Sequence, residues 1–457
     1  MLAFVGAVLS VPMVGSAFIA KGLKGRDLLK PNGRTSGPWI PECLGLPLAA
    51  IYLGLMMMFI PFPFSHMFHT SSSLSIGRET FPQGELTLYM TSLLSLLTAT
   101  LLGFIDDLFD IRWRHKLPIP LIAAIPTLMV YYSEGGWTWV VLPASLGKLL
   151  STLGLPGWEG TKSVDLGFLY YVYLALLPTF TTNSINILAG VNGVETIQAL
   201  IIALSVAFND LLFLPIWPDW LLEALHIGNA EEGRILSWAA GEVVKRHLMS
   251  LYFMLPLIGV CAGFLTHNWY PAKAFPGDTL CYFTGMAFSA VAIQGHFPKT
   301  MILFFLPQIF NFVLSCPQLF GLVECPRHRL PHFDASTGLL QPSLTVFKEP
   351  PPFKTKIALE VMEVFGLTRL ERGSPDSGAQ TKTETNGRKT DGSSTAPPVR
   401  IVSATNLTIL NLILVHLGPL HEQSLCFVMA TVQLLSSMLA FTIRYGVGSL
   451  VYGGDRR

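Results

Sequence analysis

The chain is 457 residues long, with 51% hydrophobic residues, 13% charged residues and a formal net charge of +1. It is too apolar and too poor in charge for an ordinary soluble protein of that length. The near-zero net charge points to no particular partner, and no nucleic-acid partner is expected.

Lipid must therefore solvate much of the chain, and the expected fold class is an all-α polytopic membrane protein. A hydrocarbon core about 30 Å thick takes roughly 20 apolar residues per helix. Runs of that kind recur near 2–20, 43–64, 87–105, 118–133, 166–182, 194–217, 248–267, 280–295, 299–320 and 424–445, which predicts about ten transmembrane helices. The segments 118–133 and 280–295 are the shortest. The first run lacks a basic n-region and is followed by Lys21, Lys24, Arg26, Lys30 and Arg34, so it reads as a retained span rather than a cleaved signal. Positive charge beside a span favours the cytosol, which places the loop 21–42 there. Alternation then makes 103–117, 183–193, 267–279 and 321–405 cytosolic, while 65–86, 134–165, 218–247 and the C-terminus face the other compartment. Arg112, Arg114 and Lys116 suit this assignment, whereas Arg234, Lys245 and Arg246 run against it.

The six cysteines, Cys43, Cys261, Cys281, Cys316, Cys325 and Cys426, have no CxxC or CxxxC spacing, so neither a zinc site nor a disulfide framework is expected. Residues 324–365 mix proline, basic residues and short alternating stretches such as SLTVF. They predict a small cytosolic α/β elaboration between spans nine and ten, within the loop region 321–405. The stretch 371–400 is too poor in apolar residues to bury a core and reads as a disordered insertion. Asn406-Leu407-Thr408 is a glycosylation sequon that this topology puts on the cytosolic side or at the interface, where it is expected to stay unmodified.

Charge inside a bilayer is costly and usually functional. The span interiors are nearly free of it, with Asp210, beside Asn209, the main exception. The polar chemistry gathers instead in the cytosolic loops. Gly103-Phe104-Ile105-Asp106-Asp107-Leu108-Phe109-Asp110 holds adjacent carboxylates that suit a divalent cation or simply solvate a helix end. Asp106 and Asp110 share a helical face and Asp107 points elsewhere. Arg112, Trp113, Arg114, His115 and Lys116 follow, which fits either lipid head-group anchoring or neutralisation of a phosphate. The amide-rich run Thr182 to Glu195 includes Asn183 and Asn186 at i, i+3 spacing. Amide carbonyls can ligate magnesium, while Asn192-Gly193 also suits a plain turn. In the fourth loop Asp278 follows Gly277 at the start of a span, as an N-cap or a metal ligand. Phe275 could stack on a base or anchor the interface. Arg327, His328 and Arg329 lie between prolines just after the ninth span, a setting for phosphate recognition or for ordinary positive-inside bias. All five groups fall on one membrane face, which is the main argument for a shared site.

These segments resemble the polyprenyl-phosphate N-acetylhexosamine-1-phosphate transferases, glycosyltransferase family 4, over nearly the whole chain. The resemblance is carried by IPE at 40–42, GFIDDLFDIRWRHK at 103–116, NSINILAGVNGVE at 183–195, HNWYP at 267–271, GDTLCYF at 277–283, GHFPKTM at 295–301 and CPRHRLP at 325–331. RWRHK and PRHR favour the eukaryotic, dolichol-dependent branch over bacterial relatives acting on UDP-MurNAc-pentapeptide.

The resemblance implies a single membrane-embedded transferase domain over 1–457 that moves GlcNAc-1-phosphate from UDP-GlcNAc to dolichyl phosphate. It further implies the endoplasmic reticulum membrane, an active site on its cytosolic face, Mg2+ as cofactor with Mn2+ as an alternative, inhibition by tunicamycin, and membrane lipid as a partner. Homodimers are common among similar enzymes, though no residue here demands one. By the same resemblance Asn186 and Asp278 are the metal ligands, and Asp106, Asp107 and Lys116 are catalytic. Uracil is expected near Leu28, Asn192 and Phe275, with Glu42 in support. Arg327, His328 and Arg329 are expected to hold the sugar and its phosphate. The sequence departs from the family pattern at Asp110, where asparagine is common, at Pro276, and in the length of the 371–400 insertion. Two other classes, a nucleotide-sugar transporter and a non-catalytic lipid-binding scaffold, are the alternatives.

Overall fold

The computed structural model describes residues 1–30, 36–63, 83–109, 111, 113–141, 152, 163–326, 329–373 and 400–448. Arg34, Asp110, Arg112, the side chains of Trp113 and Arg114, Arg327, His328 and nearly all of the 371–400 stretch lie outside the described residues. The helices are α1 (Leu2–Ala20), α2 (Gly45–Phe59), α3 (Gln83–Phe109), α4 (Trp113–Lys116), α5 (Ile119–Ser133), α6 (Phe168–Ile187), α7 (Val194–Leu211), α8 (Asp219–Leu225), α9 (Gly241–Asn268), α10 (Gly277–Gln294), α11 (Pro298–Phe304), α12 (Leu306–Leu319), α13 (Phe353–Val364), α14 (Ile409–Leu417) and α15 (Glu422–Phe441). Two small antiparallel pairs accompany them, β1 (Lys24–Gly25) with β2 (Ile40–Pro41) and β3 (Trp139–Val141) with β4 (Ser163–Asp165).

Every apolar run read from the sequence falls on a helix, but the described helices do not all have the character of an independent span. Six are long and apolar enough to cross a membrane, and the pair α11 and α12, bent by 72°, makes a seventh if counted as one. The expected ten exceeds that number for identifiable reasons. At 15 residues α5 is short, while α6 and α10, with 20 and 18 residues, fall short in hydropathy. The last turns of α6 read Thr-Thr-Asn-Ser-Ile-Asn. From Thr279 to Gln294 every residue of α10 is buried, so its solvent is protein rather than lipid.

The chain divides into two compact units, and the larger consists of Met1–Asp27, Gly37–Gln308 and Cys426–Arg457. In lipid, helices associate through close packing and interhelical hydrogen bonds rather than through apolar burial, and small residues permit the approach. Here α10 is the hub. A Cβ added at Gly45 on α2, at Gly103 on α3 or at Gly285 on α10 would come under 3.0 Å from the backbone of Leu280, Thr279 and Thr182 respectively. Glycine is thus what lets α2, α3 and α6 lie against α10. Hydrogen bonds inside the bundle run from Tyr52 Oη to the Phe253 carbonyl (3.0 Å), from Tyr89 Oη to the Met56 carbonyl (2.8 Å) and between Ser95 and Thr127 (2.9 Å). Outward-facing Met13, Leu97, Leu101, Phe168 and Met438 are exposed, as a lipid-facing belt requires.

The three cations that disturb the charge rule are held locally. Arg234 pairs with Glu232 and donates to the Ala239 carbonyl at 3.0 Å. Lys245 lies 3.3 Å from Glu242 and 3.6 Å from Glu85. Arg246 donates to the Gln294 carbonyl, in the last turn of α10, at 3.0 Å. Asp210 is fully buried and bonded to His247 Nδ1 at 2.6 Å, with the imidazole stacked on Phe213 at 3.7 Å. The acidic exception of the span interiors therefore belongs to a packed pair.

The second unit comprises Leu28–Ser36 and Ile309–Leu425. It contains the α/β elaboration expected between spans nine and ten. A hairpin joins β5 (His332–Asp334) to β6 (Leu339–Gln341), and β7 (Leu344–Val346), β8 (Leu370–Gly373) and β9 (Arg400–Thr405) form an antiparallel sheet in the order β7-β9-β8. Leu314, Val323, Phe347, Leu359, Leu370, Ile401, Ala404 and Leu407 make its core. Asn406 of the sequon is buried there. Its carbonyl accepts from Gln318 (2.8 Å) and Thr345 (2.6 Å), and its amide donates to Ser343 (2.9 Å).

Candidate active site

Three helix ends meet in the larger unit. The last turn of α3 carries Asp106 and Asp107, the last turn of α6 carries Asn186, and the first turn of α10 carries Asp278. Lys116, at the end of α4, reaches between them. Its ammonium lies 2.8 Å from Asp106 Oδ2 and 2.6 Å from Asp278 Oδ2. Asn186 Nδ2 donates to the other Asp278 oxygen at 2.9 Å. Residues spread over more than 170 positions thus form one continuous polar array.

The two adjacent aspartates do different things. Asp106 is 1% exposed, and a carboxylate so buried needs a counter-charge, which Lys116 supplies. Its Oδ1 accepts from the Ile111 N–H at 3.1 Å, and Tyr282 Oη donates to Oδ2 at 3.4 Å. Asp107 turns to α10. It accepts from the N–H groups of Asp278 (2.5 Å) and Thr279 (3.0 Å) and from the Thr279 hydroxyl. First-turn N–H groups have no partner within their own helix, so Asp107 caps α10 from another helix and places a negative charge at its positive end. Gly277 makes the contact feasible. Its φ is +70°, and a Cβ there would lie 2.6 Å from Asp107 Oδ2. The cap fixes the backbone from which Asp278 projects.

Burial works against the Lys116 charge, but the carboxylates of Asp278 and Asp106 outweigh it and hold its pKa above the usual lysine value. Glu42 is half-buried nearby, and its pKa is raised by burial first and by the charge of Asp278 second. The side chain of Asp278 is 25% exposed and that of Lys116 16%, so the array is open to an incoming ligand on that side.

The residues expected near uracil are organised by backbone pairing. Phe275 N–H donates to the Pro41 carbonyl (2.9 Å), and the Phe275 carbonyl accepts from Leu44 N–H (3.2 Å), so the Ile40–Glu42 segment and the Phe275 loop are laid side by side. A Cβ added at Gly25 would come within 3.0 Å of a Glu42 carboxylate oxygen and 3.4 Å of the Phe275 ring. Asn192 has its side chain engaged at both ends, accepting from Ala272 N–H at 2.8 Å and donating to Asp27 at 3.0 Å. It brackets two loops, a job that its asparagine-glycine setting in the sequence does not reveal. Sequence reasoning also missed Thr279 and Tyr282, and gave no role to Glu195, whose carboxylate accepts from the Gly190 N–H at 2.9 Å. The quoted motifs GDTLCYF and NILAGVNGVE contained all three.

The glycosyl transferase family 4 model matches residues 89–296, a stretch that includes Asp106, Asp107, Lys116, Asn186 and Asp278. A UDP-N-acetylglucosamine–dolichyl-phosphate N-acetylglucosaminephosphotransferase of Schizosaccharomyces pombe is 41% identical over 466 residues, covering 99% of this chain and 92% of the relative. The chain belongs to glycosyl transferase family 4. Proteins of the same name from Saccharomyces cerevisiae and Dictyostelium discoideum are 39% and 35% identical, over 97% and 95% of this chain and 89% and 85% of their own.

In this family 4 transferase the remaining expected binding residues belong to the second unit. Leu28 is exposed, and Arg327 and His328 lie outside the described residues. Arg329 is held by its backbone, whose carbonyl accepts from Asn411 Nδ2 (2.9 Å) and Ser343 Oγ (3.2 Å). Its Nη1 is buried with no hydrogen-bond partner among the described residues, and burial lowers its pKa from the usual arginine value. A buried guanidinium N–H left unpaired calls for an acceptor.

Proposed function

We propose that the protein transfers GlcNAc-1-phosphate from UDP-GlcNAc to dolichyl phosphate, giving dolichyl-diphosphate-GlcNAc and UMP. This would be the first step of lipid-linked oligosaccharide synthesis for protein N-glycosylation. The observation that carries the reading is the Asp106–Lys116–Asp278–Asn186 array at one end of an apolar bundle, in a chain matched nearly end to end by relatives bearing that activity's name. A carboxylate-rich site with one ammonium suits a diphosphate accompanied by a cation.

Magnesium fits the donor set, with manganese as the alternative. Mg2+ takes hard oxygen ligands, typically one or two protein groups with substrate phosphates and water, and Asn186 and Asp278 would hold it with their side-chain oxygens. When bound, the ion would offset the negative charge of the diphosphate and of departing UMP.

The protein's own groups supply positioning. Asp106 fixes the Lys116 ammonium, which faces a phosphate oxygen, and Asp107 holds the α10 end that aims Asp278. A phosphate monoester has a second pKa of about 6 and is mostly dianionic near pH 7. Its oxygen can attack the sugar-bearing phosphorus without a general base. The unpaired Nη1 of Arg329 supports a role in holding the sugar phosphate, with Arg327 and His328 beside it in sequence. Phe275, Leu28, Asn192 and Glu42 are assigned to the uracil end.

The same reading has ten crossings of the endoplasmic reticulum membrane, the site on the cytosolic face, one transferase domain, tunicamycin as inhibitor and a homodimer as the assembled form. The deciding experiment supplies the purified protein with labelled UDP-GlcNAc, dolichyl phosphate and magnesium. Chloroform-extractable label that disappears with tunicamycin or EDTA is expected. Folded, lipid-supplied protein that forms no such product would overturn the assignment.

A further inference from the structure

Three glutamines far apart in sequence meet inside the larger unit, where no lipid or water reaches them. Gln198, Gln308 and Gln433 are all fully or almost fully buried. Gln198 Nε2 donates to the carbonyls of Leu188 (2.8 Å) and Ile185 (3.4 Å), at the C-terminal end of α6 on either side of Asn186. Gln433 Nε2 donates to the Phe304 carbonyl at 2.9 Å, where α11 breaks from α12. Gln308 Nε2 donates to both remaining amide oxygens, that of Gln198 at 2.8 Å and that of Gln433 at 2.7 Å.

The orientation of this chain leaves no freedom. Carbonyl groups only accept, so Gln198 and Gln433 must point their NH2 groups at the backbone and their oxygens at Gln308. Gln308 must then present NH2 to both. The carbonyls served at each end are orphans of interrupted helices, which in a lipid-embedded bundle must find a partner inside the protein. Glu195, one turn before Gln198 on α7, accepts from Gly190 N–H at 2.9 Å. Donor and acceptor from one face of α7 therefore grip the turn that carries Asn186.

We infer that Gln198, Gln308 and Gln433 form a positioning relay that fixes the Asn186 turn by tying it to the break between α11 and α12. All three are buried and lie outside the proposed substrate-binding residues. They set the geometry of Asn186 against Asp278, so this inference rests on the proposed transfer reaction for its effect on rate, though not for its effect on the turn itself. Supporting residues of this kind commonly contribute about 10- to 100-fold to activity.

The test uses the full-length protein in lipid and the near-isosteric Gln308→Glu, which sets carboxyl oxygens against two amide oxygens. A 10- to 100-fold loss of kcat is expected, with KM for UDP-GlcNAc unchanged. Hydrogen exchange should quicken in peptides spanning 185–193 while peptides from the middle of α9 keep wild-type rates. Should Gln308→Glu not fold, Gln198→Met breaks only the last link and carries the same expectation. Wild-type kcat with unchanged exchange at 185–193 overturns the relay, as does exchange that quickens equally throughout the bundle. If the wild-type protein makes no product, the reaction fails, and the local exchange result still decides for or against the relay.

Discussion

Asp106→Asn changes one atom at the centre of the array and nothing in its volume. The remaining carbonyl oxygen can still accept from Ile111 N–H, as Oδ1 does at 3.1 Å. The substitution replaces Oδ2, 2.8 Å from Lys116 Nζ, with an NH2 that opposes an ammonium. Lys116 keeps Asp278 at 2.6 Å and so retains one anchor of two. A hydrogen bond to a charged group contributes about 1.5–3 kcal/mol. If Lys116 must be held in place for transfer, kcat should fall by about 10- to 150-fold. Because the attacking phosphate is already ionised, the shape of the pH–rate profile between pH 6 and 9 should survive. Label transfer measured across that range checks both parts. An unaltered rate would remove Asp106 from the mechanism, and a loss that grows as pH rises, leaving the variant's profile flat, would make it a base instead of a positioning group.

Arg329→Ala should raise the KM for UDP-GlcNAc with a smaller effect on kcat, and an unchanged KM takes Arg329 out of the sugar-phosphate site. Glu42 has a folded pKa raised above the ordinary 4.5, so it adds stability below that pH and loses it as pH rises through the folded value. Glu42→Gln should therefore melt at a higher temperature than wild type at pH 7, with the difference vanishing near pH 4, while uridine-nucleotide binding weakens. Gly277→Ala meets both a φ of +70° and the Asp107 carboxylate. The left-handed backbone alone costs about 1–2 kcal/mol, and loss of the cap should cut activity well beyond what the small drop in melting temperature accounts for.

The apolar runs made the long lipid-facing helices legible. Asp106, Lys116, Asn186 and Asp278 were each visible as chemically unusual residues at span ends. What each one touches was not. Asp107 bonds a residue 171 positions away, and Gln308 bonds partners 110 and 125 positions away. No local pattern encodes such pairings; they exist only once the helices have packed. The role of Asn192 was hidden for the opposite reason. Asparagine before glycine is so common in turns that the residue gives no sign of the two loops it joins. The number of spans was hard to read because hydropathy measures suitability for lipid, and helices wrapped by protein are released from that requirement.

The burial of α10 from Thr279 to Gln294 also bears on how the protein is made. A helix that meets no lipid in the finished bundle, and whose interior carries Thr279, Thr284 and Ser289, gains little by entering a bilayer alone. It becomes favourable only when α2, α3 and α6 are present to receive its glycine-flanked surfaces. The segment that aims Asp278 is thus among the last that the membrane can retain without help. Packing of α10 and assembly of the polar array are therefore coupled, and a chain in which α10 failed to pack would leave Asp278 away from Lys116 and Asn186.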